Sequence, residues 1–157
     1  MGAEKFILRD GYMGPFIAIY GQPDGVKPSF KGDTAVYNVP SSGILQISLV
    51  EPKPGTDVSL VYSSNPSNPI GSFSSCRDLE EYARDAQPRV CWLDYSVLGS
   101  GIPTHIVGVV TDWETIEKHF DRTAALHDSL VLRGGGGKAQ KWRDWRKTVK
   151  VQPSSQS

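Results

Sequence analysis

Glycine and proline divide the first half of this chain into short segments, and this spacing limits the fold more narrowly than any other feature. The chain has 16 glycines and 11 prolines among 157 residues, about 17% against roughly 12% in average usage. Apolar, strand-like runs lie between them at 6–8, 16–20, 35–39, 44–50 and 58–62. A strand and a turn every eight to twelve residues or so is typical of a β-sandwich or barrel. The N-terminal half is therefore predicted to be β-sheet.

Two bends in this half carry specific turn chemistry. Tyr12 stands between Gly11 and Gly14, which predicts a tight bend with the aromatic ring folded over the sheet. Residues 40–43 read PSSG, a combination that favours a turn. We expect this turn to be a hairpin that links the strands before and after it.

The second half mixes helices with further strands. Ser75 can cap a helix near 76–86, which Pro88 would stop, and Asp112 can cap a second helix near 112–128. Strand-like runs occur at 90–93 and 105–110. The pattern predicts a single α+β domain over residues 1–133, in which a β-sandwich half is followed by two helices and further strands.

Charge is distributed unevenly although the net charge is zero. Residues 1–132 hold ten Lys or Arg and sixteen Asp or Glu, whereas residues 133–157 hold seven basic residues and only Asp144. A glycine run, Gly134 to Gly137, separates the two parts and is typical of a linker. Residues 134–157 are thus predicted to be a glycine-rich linker and a basic, tryptophan-bearing tail.

This tail is the best candidate for a binding segment, because tryptophan and arginine are favoured at protein interfaces. The same composition also suits nucleic acid or an anionic membrane surface, and the tail could instead fold back on the acidic body. We favour a protein partner over nucleic acid as an external ligand. The predicted partner-binding residues are Lys138, Lys141, Trp142, Arg143, Trp145, Arg146 and Lys147.

The two cysteines, Cys76 and Cys91, allow either of two interpretations. In an oxidising compartment they would form a disulfide, and closing this loop would stabilise the fold by about 3 kcal/mol. In a reducing compartment they would be two buried thiols. Their spacing fits neither a zinc site nor a redox C-x-x-C pair.

No catalytic signature emerges from the remaining polar residues. Ser100 lies in a glycine-flanked turn that lacks the nucleophile-elbow pattern. His105 opens a strand, and His119 and His127, two helical turns apart, are expected on a solvated polar face rather than at a metal. The glycine run before Lys138 does not match a phosphate-binding loop. No metal or cofactor is predicted.

Carboxylates and tyrosines supply two further candidates. Glu80, Glu81 and Asp85 are expected on the solvent-exposed side of the first helix, although paired-carboxylate catalysis stays open as an alternative. Tyr12, Tyr20 and Tyr37 are expected to be packing residues, with a ligand cleft as the alternative. His105 or His119 could join carboxylates in a small hydrolase, which is the main enzymatic alternative.

Residues 6–16 (FILRDGYMGPF) and 36–44 (VYNVPSSGI) resemble an uncharacterised family of small bacterial proteins. Members of that family open with F-L-I-P-x-G-Y-x-G and continue with Y-x-I-P-x-x-G-I. Arg9 stands where the family usually has proline. The resemblance implies a prealbumin-type β-sandwich and a protein that is often exported, here with its signal peptide absent, so a periplasmic or secreted location is expected. It implies no activity.

These observations together favour a non-enzymatic binding protein that works through a protein–protein interface. An inhibitor or immunity-type protein is one concrete form of this prediction. A small hydrolase and nucleic-acid binding through the basic tail are the alternatives. No apolar run approaches the eighteen or so residues that would span a membrane.

Overall fold

The computed structural model describes residues 3–49, 57–96 and 105–130, and these fold into two mixed β-sheets and two helices. Sheet A has four strands in the order β3-β4-β1-β6, and sheet B has five in the order β5-β2-β9-β8-β7. The class is α+β. The strands are β1 Ala3–Leu8, β2 Gly14–Ile19, β3 Ser29–Lys31, β4 Thr34–Asn38, β5 Ile44–Gln46, β6 Asp57–Tyr62, β7 Ser72–Phe73, β8 Arg89–Ser96 and β9 His105–Thr111; the helices are α1 Cys76–Tyr82 and α2 Ile116–Leu130.

Each sheet contains both parallel and antiparallel pairs. In sheet A, β1 lies between β4 and β6 and runs parallel to both, with Phe6 opposite Tyr37 and Leu60. In sheet B, β2 runs antiparallel to β9 and parallel to β5. The parallel pairs bring together strands that are distant in sequence. A short turn cannot connect two parallel neighbours, so each of these pairs needs a longer crossover connection.

The turn at 40–43 does form, but it is not a hairpin. Gly43 N–H donates to the Pro40 carbonyl at 2.9 Å. The strands on its two sides belong to different sheets, because β4 lies in sheet A and β5 in sheet B. The predicted hairpin is therefore wrong, and the turn carries the chain from one sheet to the other.

The inner faces of the two sheets share one apolar cluster. Phe6 of β1 packs edge-on against Phe16 of β2 with ring centroids 4.9 Å apart, and it stacks on Tyr37 of β4 at 5.2 Å. Residues alternate between buried and partly exposed along β1, as expected for a strand with one covered face. Every residue of β2 is buried, because sheet A covers one of its faces and α2 the other.

A second apolar cluster lies between sheet B and the two helices. It joins Ile17, Val107 and Val109 of the sheet to Leu79 of α1 and Phe120 of α2. Both helices therefore cover the outer face of sheet B, which is the face turned away from sheet A.

The two helices differ in extent from the predicted ranges. Ser75 does cap α1, since its hydroxyl accepts from the Asp78 N–H at 3.2 Å, but the helix already ends at Tyr82. Asp112 accepts from the Thr115 N–H at 2.9 Å and fixes a turn, so that α2 begins only at Ile116. Neither helix among the described residues combines the length and the apolar character that a membrane crossing requires.

Candidate functional site

The predicted partner-binding residues, Lys138 to Lys147, and the turn at Ser100 lie outside the described residues. The described part of the chain nevertheless contains two groups of buried polar side chains. One group, called here the Glu4 cluster, consists of Glu4, Tyr20 and Tyr37. The other, called the histidine interface, consists of His105, His119 and His127.

The Glu4 cluster lies on the inner face of sheet A. Glu4 occupies the same face of β1 as Phe6 and Leu8 and is only 3% exposed. The Tyr20 hydroxyl donates to Glu4 Oε1 at 2.6 Å. Burial raises the pKa of Glu4, and the hydrogen bond from Tyr20 offsets part of that rise. This carboxyl is therefore easier to keep neutral than an ordinary glutamic acid.

Tyr37 supplies the second hydroxyl of the Glu4 cluster, and its hydrogen bonding differs from that of Tyr20. Its side chain is 1% exposed, and its Oη atom has no hydrogen-bond partner among the described residues. Burial, and then the nearby Glu4 carboxylate, raise the pKa of Tyr37 well above its usual range. The phenol therefore stays neutral, and its hydroxyl adds a polar atom to the core without a compensating bond.

The two tyrosines form a matched pair for mutation. We expect Tyr20→Phe to lower the free energy of unfolding by about 1–3 kcal/mol, because it leaves a buried carboxyl without its donor. Tyr37→Phe is expected to change it by less than about 0.5 kcal/mol or to raise it, because an unpaired hydroxyl is removed. Urea unfolding of both variants measures the difference. Equal losses would contradict this account of the Glu4 cluster.

Tyr12 is also a packing residue. Its hydroxyl donates to the Pro15 carbonyl, and its own carbonyl accepts from the Tyr62 hydroxyl at 2.8 Å. The Arg9 guanidinium lies over its ring, 5.6 Å from the centroid. Burial raises the pKa of Tyr12. Because Tyr12, Tyr20 and Tyr37 are all buried, they line the core between the bends and strands and do not line an open cleft.

The histidine interface corrects the prediction of a solvated polar face. His105, His119 and His127 are 0%, 7% and 0% exposed, and the two on α2 face sheet B. The sequence contained a signal for this arrangement. His119 and His127 each follow a buried apolar residue of α2, Ile116 or Ala124, by three positions, so they share its side of the helix.

The carboxylates near α1 lie close to arginines. Asp85 accepts from both terminal nitrogens of Arg89, at 2.7 Å and 3.1 Å. These hydrogen bonds lower the pKa of Asp85 to about 2. Glu81 lies 3.6 Å from Arg77 with both side chains about half exposed. Among the described residues, no group of three or more His, Cys, Asp or Glu is placed to hold a metal ion.

Cys76 and Cys91 form a disulfide, which confirms the bridged alternative. The bond joins the first residue of α1 to β8, and both cysteines are fully buried in the cluster under the helices. The described residues contain no free cysteine. The bridge therefore holds α1 against sheet B at the point where that short helix begins.

Comparison with known proteins assigns this chain to no family. No family model matches the chain, and no curated protein matches it. Among solved structures, the chain is similar to a "Putative Lipoprotein from Bacillus anthracis", with a TM-score of 0.46 and 15% identity over 95% of this chain and 94% of that one. Similarity at this level assigns neither a family nor a function.

Proposed function

We propose that this protein is a non-enzymatic binding protein, and that its basic tail engages an acidic protein partner. The observation that carries the proposal is the composition of residues 133–157, with seven basic residues, one acidic residue, Trp142 and Trp145. Arginine and tryptophan together supply charge attraction and large contact area, the combination found at interface hot spots. An inhibitor or immunity-type protein is the concrete form of this proposal.

The chemistry of the described residues supports binding over catalysis. Glu4 and the three histidines are buried, so a substrate at the surface would not reach them. Asp85 and Glu81, which are more exposed, are engaged with Arg89 and Arg77. A general acid or base must come within hydrogen-bond distance of its substrate. A hydrolase built on these histidines would first have to open the core.

The location and the finer fold also belong to this proposal. The Cys76–Cys91 disulfide supports an oxidising compartment, such as the periplasm or the cell exterior, because cytosolic thiols are kept reduced. We infer that the two sheets form a prealbumin-type sandwich, which the shared cluster around Phe6 and Phe16 supports. On this proposal the folded body carries the tail.

The test compares the double variant Trp142→Ala/Trp145→Ala with the wild-type protein. Cross-linking in a cell-envelope extract of the source organism identifies proteins whose capture depends on the two tryptophans, and calorimetry with the purified candidate then gives Kd. We expect the double variant to bind at least about tenfold more weakly, a loss of about 1.4 kcal/mol. Phe30→Ala is the matched control, since it removes an aromatic that is 65% exposed on the body, in β3. It should bind as the wild type does.

Two results would overturn the proposal. The first is an unchanged Kd for the purified partner when both tryptophans are replaced. The second is tighter binding to a 20-nucleotide single strand or to phosphatidylglycerol vesicles than to any protein. Nucleic-acid binding would also weaken steeply with salt in proportion to the phosphates contacted.

A further inference from the structure

Two exposed arginines that are distant in sequence lie at the bend around Tyr12. Arg9 follows β1 directly, and Arg122 is on α2. The Arg9 guanidinium lies over the Tyr12 ring, 5.6 Å from its centroid. Because Tyr12 itself is only 5% exposed, Arg9 forms the surface above a buried ring.

Arg122 reaches the same bend from α2. It follows His119 by three positions, and residues at that spacing are neighbours on the surface of a helix. His119 in turn lies beside the bend, because a Cβ atom on Gly14 would be 3.2 Å from Tyr12 Oη and 4.0 Å from His119 Nδ1. Burial raises the pKa of Tyr12, and the charges of Arg122 and Arg9 offset part of that rise. Both guanidiniums therefore lie near the phenol.

Neither arginine forms an ion pair with a carboxylate of the described residues. The ion pairs found in that part of the chain lie on α1 and between α1 and β8. Asp10, in the loop after β1, accepts from the Ser64 N–H at 2.9 Å. Asp112, before α2, accepts from the Thr115 hydroxyl at 2.6 Å. The positive charge of the two arginines is therefore available to a ligand.

The charged side chains of α2 are divided between two flanks of the helix. Lys118 and Arg122 are exposed on one flank, and both are close to His119 along the helix surface. Glu117 and Asp121 are each two positions from His119, so they do not share its side of the helix. The basic flank is therefore the one beside the bend. Lys118 adds a third positive charge there.

Guanidiniums that approach one point from different elements suit a tetrahedral anion. Each guanidinium presents a planar fork of N–H donors that matches two oxygens of a phosphate. Arg9 comes from a loop and Arg122 from a helix, so the two can contact different oxygens of one ligand. A carboxylate has two oxygens in one plane and a single negative charge, whereas a phosphate ester carries about two near neutral pH. The arrangement therefore favours a phosphate group over a carboxylate.

We propose that Arg9 and Arg122 form a binding site for the phosphate group of a small phosphate ester. The contact with the Tyr12 ring holds the Arg9 guanidinium in place before the ligand binds, which reduces the entropy lost on binding. The phosphate stays at the surface, and the core does not open. The site does not depend on the basic tail, because all of its residues precede Leu130, where α2 ends.

An NMR titration of the full chain with inorganic phosphate tests the proposal. Ionic strength is kept constant, because added salt screens exposed charges. We expect saturable shifts at the amides of Tyr12, Gly14 and His119. In the variant Arg9→Gln/Arg122→Gln, Kd should rise at least about tenfold, since two charge-assisted contacts are lost. Acetate should bind the wild-type protein at least about tenfold more weakly than phosphate does.

Lys27→Gln/Lys31→Gln is the matched control for the arginine variant. It removes the same number of positive charges, also from exposed residues. Lys31 lies at the other end of sheet A, since its partner Thr34 pairs with Ala3 at the start of β1. The control should change Kd by less than about twofold, because distant exposed charges are largely screened.

Three results would overturn the proposal, and none of them bears on the partner of the tail. Shifts that do not saturate, or that are confined to residues 133–157, would show that phosphate does not bind at the bend. An equal Kd for the wild type and the arginine variant would show that the two guanidiniums do not hold it. Equal affinity for acetate and phosphate would rule out the ligand class. The first result is read on the wild-type protein and therefore stands even if the variant does not fold.

Discussion

Replacing Gly43 by alanine is expected to lower the free energy of unfolding by about 4 kcal/mol. Gly43 has φ of 80°, a left-handed conformation that costs other residues about 1–2 kcal/mol. A Cβ atom there would also overlap the Pro15 carbonyl oxygen and Tyr12 Oη, both well inside the closest approach of real Cβ atoms. The first of these is backbone and cannot rotate away, so overpacking adds about 1–3 kcal/mol.

Gly11→Ala is the matched control for this prediction. Gly11 has nearly the same φ, 75°, but a Cβ atom there would meet nothing within 4 Å. Its replacement should therefore cost only the backbone strain, about 1–2 kcal/mol. Urea denaturation followed by tryptophan fluorescence measures both variants. If they lost the same stability, the contact of Gly43 with Pro15 and Tyr12 would not be the cause.

Removing the disulfide with Cys76→Ala/Cys91→Ala is expected to cost about 3 kcal/mol, the chain-entropy value for a loop of this length. The sequence separation of the two cysteines is 15. The loop they close contains all of α1. For a chain of this size the loss corresponds to a fall in Tm of roughly 6–12 °C.

Reduction provides the control for the cysteine variant. Wild-type protein in excess dithiothreitol should unfold at the same urea concentration as the double alanine variant, and the variant itself should not respond to dithiothreitol. Alanine is chosen because both sites are fully buried and serine would add an unpaired hydroxyl there. A variant as stable as the oxidised protein would show that apolar packing holds α1 in place without the bridge.

Local patterns predicted the strands with clear apolar runs, but they did not predict strand partners. The segments at 6–8, 16–20, 35–39 and 58–62 overlap β1, β2, β4 and β6. The error at 40–43 has a physical cause, because turn residues report the local backbone and not which sheet receives the next strand. Ser29–Lys31 was missed because all three residues of β3 are exposed, so no apolar alternation marks them.

The buried polar groups were predicted least well, for a related reason. Glu4 is buried because β1 begins at Ala3, and its place beside Phe6 in the alternation of β1 then turns it inward. If the predicted strand at 6–8 is extended back to Ala3, its alternation predicts that Glu4 points inward. The contact between His105 and His127 is different, because it depends on how α2 crosses β9, which no local pattern encodes. Whether Cys76 and Cys91 are bridged depends in the same way on tertiary packing, so local pattern could not decide between a disulfide and two buried thiols.

The order in which the chain visits its two sheets has a consequence for folding. Strands β1, β3, β4 and β6 belong to sheet A, whereas β2 and β5, which alternate with them along the chain, belong to sheet B. Strand β2 can pair with β5 earlier, but its other edge stays unpaired until β9 has been made, since Gly14 pairs with Val110. Such long-range pairings slow folding, because the chain loses the entropy of closing a long loop before the new contacts stabilise it. A nascent chain therefore cannot complete sheet B until β9 has been made, and a cut anywhere between β2 and β6 would divide both sheets at once.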